Sequence, residues 1–255
     1  MGKKQLSDEY TLMPRPPDPV PSYPTIRPKD ASTLIILRKH RRQIQLLMGR
    51  RHPGHKFMPN KFVFPGGRVD SADSRVRIDS DLDPVTREQL LIAMKGRASE
   101  NRARAIALAA IRETFEETGL VIGKPVAQPQ SSRSTVWQNF LAHGISPDLG
   151  NLKFFARAIT PPKRRRRYDT RFFCVSADHI AVETGLEDGE LLDLHWLSIK
   201  QALDLDIPPI TKTILNDLRN RLDGNGELDS QAPVPFYYMA SNGFRRRLIS
   251  LPPKS

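Results

Sequence analysis

Three glutamates near the middle of the chain have the spacing of one helix face. Glu113, Glu116 and Glu117 stand at positions i, i+3 and i+4, so their carboxylates would project from one side of an α-helix. Three like charges placed in this way repel one another, whereas a divalent cation would bind them, because hard oxygen ligands suit Mg²⁺ or Mn²⁺. A solvated acidic face without any ligand would have the same spacing. The glutamates alone therefore leave both interpretations open.

The residues around these glutamates predict the helix that must carry them. Within residues 103–120, Ile106 and Ile111 belong to an apolar stripe with helical periodicity. Ser99 is of a type that caps helix N-termini, and Gly119 is of the type that ends helices because it tolerates a positive φ. We therefore expect the three carboxylates on the last turns of a single helix.

A glycine turn precedes this helix in the chain. The sequence Phe-Pro-Gly-Gly occupies residues 64–67, and glycine lets a backbone carbonyl approach a ligand closely. Residues 69–97 separate the turn from the helix, and they contain a further helix start at residues 81–84. We predict that this segment is a loop-and-helix excursion that leaves the turn next to the glutamates.

Together, the turn and the helix resemble the signature of the Nudix hydrolases: Gly, five residues, Glu, seven residues, then Arg-Glu-x-x-Glu-Glu-x-Gly-apolar. Residues 112–120 match every fixed position of its second half. The first half departs from the signature, because Asp73 stands where the family has glutamate and the 38 residues 74–111 replace the seven-residue spacer. The resemblance implies hydrolysis of a nucleoside diphosphate linked to another moiety, with Mg²⁺ or Mn²⁺ as cofactor. The departure leaves the role of Asp73 open.

The resemblance also implies roles for individual residues. Arg112 would hold the glutamates in orientation, although the sequence does not identify the general base. A further glutamate would come from a loop, where Glu190 is favoured over Glu187, and either acid could instead be solvated. The implied catalytic residues are Arg112, Glu113 and Glu116. The implied metal ligands are Glu113, Glu116, Glu117, the carbonyl of Gly66, and Glu190.

The similarity is greatest to a subgroup, the acyl-coenzyme A diphosphatases that carry an insertion inside the signature. It extends from about Ser32 to about Leu222. The matching segments are residues 46–51, 57–59, 62–67, 110–117 and 168–173. This resemblance implies cleavage of coenzyme A or acyl-coenzyme A to 3′,5′-ADP and (acyl-)4′-phosphopantetheine. ADP-ribose, nucleotide sugars and dinucleoside polyphosphates stay open as alternative substrates.

The charge of the chain predicts an anionic partner. Lysine and arginine outnumber aspartate and glutamate by 40 to 28, which gives a net charge of +12. The excess collects in residues 38–61, 157–171 and 245–247, and it suits a phosphate-rich small molecule, nucleic acid or an acidic surface. Nucleic acid is disfavoured because these clusters lack interleaved aromatic residues. We predict that Arg50, Arg167 and Arg171 bind the substrate phosphates.

Two other function classes stay open. A nucleic-acid-binding protein would explain the net charge, and a catalytically silent Nudix-like regulator would explain the departure at Asp73. Cys174 is the only cysteine, which excludes an internal disulfide and favours a reducing compartment, so we expect a cytoplasmic protein. No apolar run is long enough to span a membrane, and no membrane partner is expected. The expected partner is a nucleotide-type small molecule, and a homodimer stays open.

Strands that alternate with a few helices predict a mixed α/β (α+β) fold, and the resemblance implies the α/β/α sandwich of Nudix domains with a helical insertion. The predicted divisions are a proline-rich arm at residues 1–29 and a single domain at residues 30–255, with the insertion at about 70–100 and a C-terminal helix and strands at 198–255. The predicted strands are residues 31–37, 43–48, 120–122, 152–159, 170–176, 195–197, 234–239 and 245–251. Besides the glutamate helix and the insertion helix, the predicted helices are residues 135–143, 198–203 and 208–222.

Overall fold

The protein is described by a computed structural model of residues 10–13, 21–54, 59–92, 94, 96–128, 130–185 and 191–252. Thirteen strands and five α-helices form within these residues. The strands are β1 Tyr10–Met13, β2 Lys29–His40, β3 Gln43–Arg51, β4 Phe62–Val63, β5 Gly66–Arg68, β6 Leu120–Pro125, β7 Ile145–Pro147, β8 Lys153–Ile159, β9 Tyr168–Ser176, β10 Ile180–Glu183, β11 Leu191–Ser198, β12 Val234–Ala240 and β13 Gly243–Ile249. The helices are α1 Pro84–Ile92, α2 Glu100–Thr118, α3 Thr135–Leu141, α4 Ile199–Leu203 and α5 Pro209–Arg221.

Ten of the strands belong to one mixed sheet. Its main order is β1-β13-β12-β8-β9-β2-β3-β11, while β4 pairs with β3 and β5 pairs with β2. The pairs β2–β9 and β8–β12 are parallel, and the other pairs are antiparallel. A second sheet has the order β10-β6-β7. The glycine turn joins the large sheet through β5, where Gly67 lies opposite Ser32 of β2.

The large sheet separates two apolar cores, which confirms the expected sandwich. Along β2, Leu34 and Ile36 face the core that contains α2, whereas Ile35 and Leu37 face the core that contains α5. Successive side chains of a strand point to opposite faces, so a fully apolar strand is expected where both faces are covered. The sheet thus gives α2 a buried surface to pack on.

The caps of α2 are those predicted from the sequence. The Ser99 hydroxyl accepts a hydrogen bond from the Arg102 amide at 3.3 Å. Gly119 follows the helix with a φ of 73°, and its amide donates to the Phe115 carbonyl at 2.9 Å. Many residues facing the sheet are alanines with almost no exposure, so the helix lies close to the strands. Both ends of the helix are therefore fixed, and with them the positions of the three glutamates along it.

Most of the predicted elements are confirmed, with ends that differ by a few residues. The β2–β3 hairpin, α1, α3, α4, α5 and the final β12–β13 pair all form, and Trp137 and Phe140 are the buried side of α3 as expected.

None of the helices within the described residues is long and apolar enough to cross a membrane.

Some short strands were not predicted, among them β1, β7 and β10. Tyr10–Met13, in the segment interpreted as a proline-rich arm, pairs with β13 at the edge of the sheet. Ile180–Glu183 and Ile145–Pro147 flank β6 in the small sheet. These strands have only three or four residues, and their pairing depends on distant partners rather than on a local pattern. The division into an arm and one domain stays a prediction.

The insertion is attached to α2 by a buried carboxylate, that of Asp73, whose side chain has no solvent exposure. Arg112 donates to its two oxygens from Nε at 2.8 Å and from Nη2 at 3.2 Å. The indole Nε1 of Trp137 donates to Oδ1 at 3.0 Å, and the Asp70 amide donates to Oδ2 at 2.8 Å. Asp73 therefore joins the insertion, α2 and α3 at one point.

Asp73→Asn should lower the free energy of unfolding by about 3 kcal/mol, because Arg112 would stay buried beside one carboxylate fewer. Urea denaturation measures the change. Asp79→Asn is the matched control, since Asp79 is an exposed aspartate of the same insertion that accepts one side-chain hydrogen bond, from Gln130. The control should change stability by less than about 1 kcal/mol. Equal losses in the two variants would contradict the anchoring role of Asp73.

Candidate active site

The last turns of α2 bring two of the three glutamates against the glycine turn. The Gly66 amide donates a hydrogen bond of 2.7 Å to Oε2 of Glu117. Gly67 lies so close to Glu113 that a Cβ at this position would be 2.5 Å from the carboxyl carbon. Only glycine fits there without moving the glutamate. The prediction that the insertion leaves the turn beside the helix is therefore confirmed.

Arg112 contacts the other side of the glutamate cluster. Its Nη1 lies 3.0 Å from Oε1 of Glu113 and also donates to Oε2 of Glu116. Its Nη2 donates to the Arg68 carbonyl at 2.9 Å, immediately after the glycine turn. Burial disfavours the charged guanidinium, but the surrounding carboxylates outweigh it and raise the pKa of Arg112 above its ordinary value. Arg112 is thus a permanent cation that orients two of the three glutamates.

Glu113 has an unusual protonation equilibrium. Burial is the main cause that raises its pKa to about 7; Arg112 opposes this rise, and the nearby Glu116 adds to it. A carboxyl group with this pKa exchanges protons near neutral pH, which is the property of acid–base groups in active sites. A bound cation would favour its ionised form.

Arg51 is close to the site and was not singled out from the sequence. Its Nη2 lies 3.9 Å from Oε1 of Glu117, which is itself buried. Alternation along β3 explains the position: Leu47 belongs to the α2 core and Met48 to the α5 core, so odd-numbered residues face α2. The same alternation places Arg50 on the other face, where it forms an exposed ion pair with Asp193 at 2.5 Å. The alternation was the available signal that would have identified Arg51.

The other two arginines predicted to bind substrate have structural partners. Arg167 donates to the carbonyls of Thr160 at 3.1 Å and Ile26 at 2.7 Å. Arg171 is buried, and its Nη1 donates at 2.7 Å both to Asp30 and to the Asp169 carbonyl. Within the described part of the chain, neither guanidinium contacts a glutamate of α2. Their role as substrate ligands stays a prediction.

Glu190 and its alternative Glu187 both lie outside the residues that the structure describes. Their assignment as metal ligands therefore stays a prediction from the resemblance.

The oxygen atoms at the glycine turn and on the glutamates are of the type that binds a hard cation, although the carboxylates contact Arg112 and the Gly66 amide in this structure. Among the described residues, no three His, Cys, Asp or Glu side chains form a group that could hold a metal ion. Glu113 and Glu116 contact Arg112, while Glu117 accepts from the Gly66 amide. The carboxylates and the backbone carbonyls of the turn supply only oxygen, which is the donor type that Mg²⁺ and Mn²⁺ prefer. The residues present therefore fit such a cation in chemistry and in charge.

Sequence relatives of the chain are Nudix proteins. The chain is 27% identical over 189 residues to a Caenorhabditis elegans protein named for the nudix hydrolases, a match that covers 69% of this chain and 53% of the relative. It is 24% identical over 209 residues to a Gallus gallus protein named acyl-coenzyme A diphosphatase NUDT19, covering 63% of this chain and 55% of the relative. The chain spans about half the length of these curated relatives.

A solved structure shares the fold. The crystal structure of a Nudix hydrolase from Alicyclobacillus acidocaldarius superposes with a TM-score of 0.57 at 24% identity, covering 74% of this chain and 90% of the other. The family model of the NUDT19 Nudix domain matches residues 28–207, which include the glycine turn, the insertion and α2. Since this match extends over more than half of the sequence, the chain belongs to the Nudix hydrolases, in the family of the NUDT19 Nudix domain.

Proposed function

We propose that the chain is a metal-dependent diphosphatase that cleaves coenzyme A or acyl-coenzyme A into 3′,5′-ADP and (acyl-)4′-phosphopantetheine. The observation that carries the hydrolase proposal is the packing of Glu113 and Glu117 against the glycine turn. The coenzyme A substrate is supported by the family match and by the name of the Gallus gallus relative. We also propose a cytoplasmic location, on the single buried cysteine.

Nudix hydrolases generally use divalent metal ions. We propose that Glu113, Glu116, Glu117 and the Gly66 carbonyl hold the cation here, with Glu190 as a further ligand. When bound, Mg²⁺ or Mn²⁺ supplies positive charge that neutralises the diphosphate oxygens and lowers the pKa of an attacking water. The choice between the two metals belongs to this proposal.

The side chains of the protein perform the remaining tasks. Arg112 holds Glu113 and Glu116 at fixed positions, so that a carboxylate left free can accept a proton from water. Arg51, beside Glu117, supplies a guanidinium for the diphosphate oxygens. Arg50, Arg167 and Arg171 are the further substrate ligands proposed from the sequence.

The structure also bears on the two competing function classes. The departure from the family at Asp73 falls on a buried carboxylate that holds Arg112, and it leaves the glutamates of α2 in place. This arrangement favours an enzyme over a silent regulator. A nucleic-acid-binding protein has no use for the half-buried Glu113 and the buried Glu117 beside the glycine turn.

The third phosphate of coenzyme A is the feature that distinguishes it from the other substrates. ADP-ribose lacks a 3′-phosphate, and each charge-assisted hydrogen bond to that group would favour coenzyme A by about 1.5–3 kcal/mol. A net charge of +12 supplies cations for such contacts. The same charge suits ADP-ribose and dinucleoside polyphosphates, so these are the direct competitors.

Glu117→Gln should lower kcat by about 100-fold or more, because loss of one metal ligand removes several kcal/mol of charge stabilisation with little change in shape. Turnover should also stop in EDTA. Calorimetric titration with Mn²⁺ gives a second readout, in which the variant should bind more weakly than the parent chain. Glu88→Gln, on the exposed side of α1, is the matched control and should behave like the parent. Parental turnover and Mn²⁺ binding in Glu117→Gln would refute the metal assignment.

Acetyl-coenzyme A should be hydrolysed with a kcat/KM at least tenfold higher than ADP-ribose and diadenosine tetraphosphate, in matched metal and salt. Mass spectrometry should identify 3′,5′-ADP as a product. Dephospho-coenzyme A is the control that lacks only the 3′-phosphate, and it should be a poorer substrate than coenzyme A. A tenfold preference for either nucleotide would leave the Nudix hydrolase proposal intact and eliminate the coenzyme A proposal.

A further inference from the structure

Six exposed basic residues occur together at the end of the sheet where β2 and β9 begin. We call this surface the basic rim, and it consists of Arg27, Lys29, Arg97, Arg164, Arg165 and Arg166. None of the six side chains forms an ion pair or a hydrogen bond with another residue in the described part of the chain. The half-buried Arg50 and Arg104, by contrast, each have an aspartate partner. The rim is therefore an uncompensated patch of positive charge.

Backbone contacts between distant segments assemble the rim. The Lys29 amide donates to the Arg167 carbonyl at 2.9 Å, and the Tyr23 amide donates to the Lys163 carbonyl at 3.2 Å. Arg167 itself reaches back to the Ile26 carbonyl at 2.7 Å. These three bonds hold the segment before β2 against the turn between β8 and β9. The turn that carries Arg164, Arg165 and Arg166 therefore lies directly beside Lys29.

Arg27 extends the rim toward the start of α2. Its Nη2 is so close to Gly96 that a Cβ on this glycine would lie 3.0 Å away. Gly96 precedes Arg97, whose side chain is exposed. The insertion thus adds a cation to the surface formed by the other two segments.

Two exposed apolar side chains adjoin these cations. Tyr23 is 36% exposed and Ile26 is 44% exposed, and both belong to the extended segment that contacts the β8–β9 turn. Tyr23 and Ile26 are two of the four large hydrophobic side chains that are exposed among the described residues. An anionic lipid surface attracts cations electrostatically, and its headgroup boundary buries apolar side chains. A protein surface that carries both unpaired arginines and exposed apolar residues suits such a lipid surface.

We propose that the basic rim, with Tyr23 and Ile26, docks the protein onto an anionic phospholipid bilayer. The cations attract lipid phosphate and carboxylate groups, and the two apolar side chains enter the boundary between headgroups and acyl chains. Nucleic acid explains the surface less well, because Ile26 would find no apolar partner on a phosphate backbone.

This docking surface is independent of the proposed function, since it uses none of the active-site residues. The proposal departs from the sequence-based expectation that no membrane partner exists. That expectation depended on the absence of a membrane-spanning run, and a peripheral contact requires no span.

Co-sedimentation of the full chain with vesicles tests the proposal. The protein should pellet with phosphatidylcholine vesicles that contain phosphatidylserine and stay in the supernatant with phosphatidylcholine alone. Binding should be lost at high salt, because the Debye length falls to about 3 Å at 1 M ionic strength. Failure to bind the anionic vesicles at low salt would overturn the proposal.

Matched variants separate the rim from net charge. The variant R164Q/R165Q/R166Q should reduce vesicle partitioning by about 100-fold. The control R41Q/R42Q/R219Q removes three exposed arginines at the β2–β3 turn and on α5, and should reduce it much less. Ile26→Ser should weaken vesicle binding with the salt dependence unchanged. Circular dichroism and thermal unfolding establish that each variant is folded.

Two outcomes would contradict the assignment. Equal losses in the two triple variants would show that overall charge, rather than the rim, attracts the vesicles. A mobility shift with random RNA that the rim variant abolishes, together with unchanged vesicle binding in that variant, would assign the surface to nucleic acid instead.

Discussion

The buried guanidinium of Arg112 is the interaction on which the rest of the site depends. Asp73 and Glu116 contact it from different directions, and Glu113 lies within 3.0 Å. Without this cation, three helix carboxylates would repel one another at positions that are partly or fully buried, where water screens charge less than in bulk. The same group reaches the Arg68 carbonyl beside the glycine turn. One side chain thus brings the insertion, the turn and the helix into register.

Packing fixes the position of this guanidinium as firmly as charge does. Small residues such as Ala103, Ala107 and Ala110 have no exposure, so α2 lies directly on the strands of the large sheet. Gly67 removes the last side chain that would separate the turn from Glu113. The close approach explains both the partial burial of Glu113 and its raised pKa, because a carboxylate covered by other groups loses part of its hydration.

Local patterns predicted much of this arrangement, and long-range contacts account for what they missed. Ser99 and Gly119 were identified as the ends of α2 because capping depends on residues adjacent in sequence. Asp73 was left without a role, because its partners Arg112 and Trp137 are distant in the chain. Arg50 was predicted to bind the substrate phosphates, whereas alternation along β3 places Arg51 on the face of the sheet that carries α2. Arg171 was assigned to substrate from its neighbours in sequence, yet its partner Asp30 comes from another strand.

Sharing one guanidinium between the insertion and the glutamates makes the two parts thermodynamically linked. Any ligand that draws Glu113 or Glu116 away from Arg112 changes the partners of the guanidinium that Asp73 holds, so binding of that ligand is coupled to the stability of the insertion. By reciprocity, anything that loosens the insertion changes the affinity of the glutamates for that ligand by an equal factor. The insertion, which would otherwise be a passive addition, thereby becomes an energetic part of the binding equilibrium.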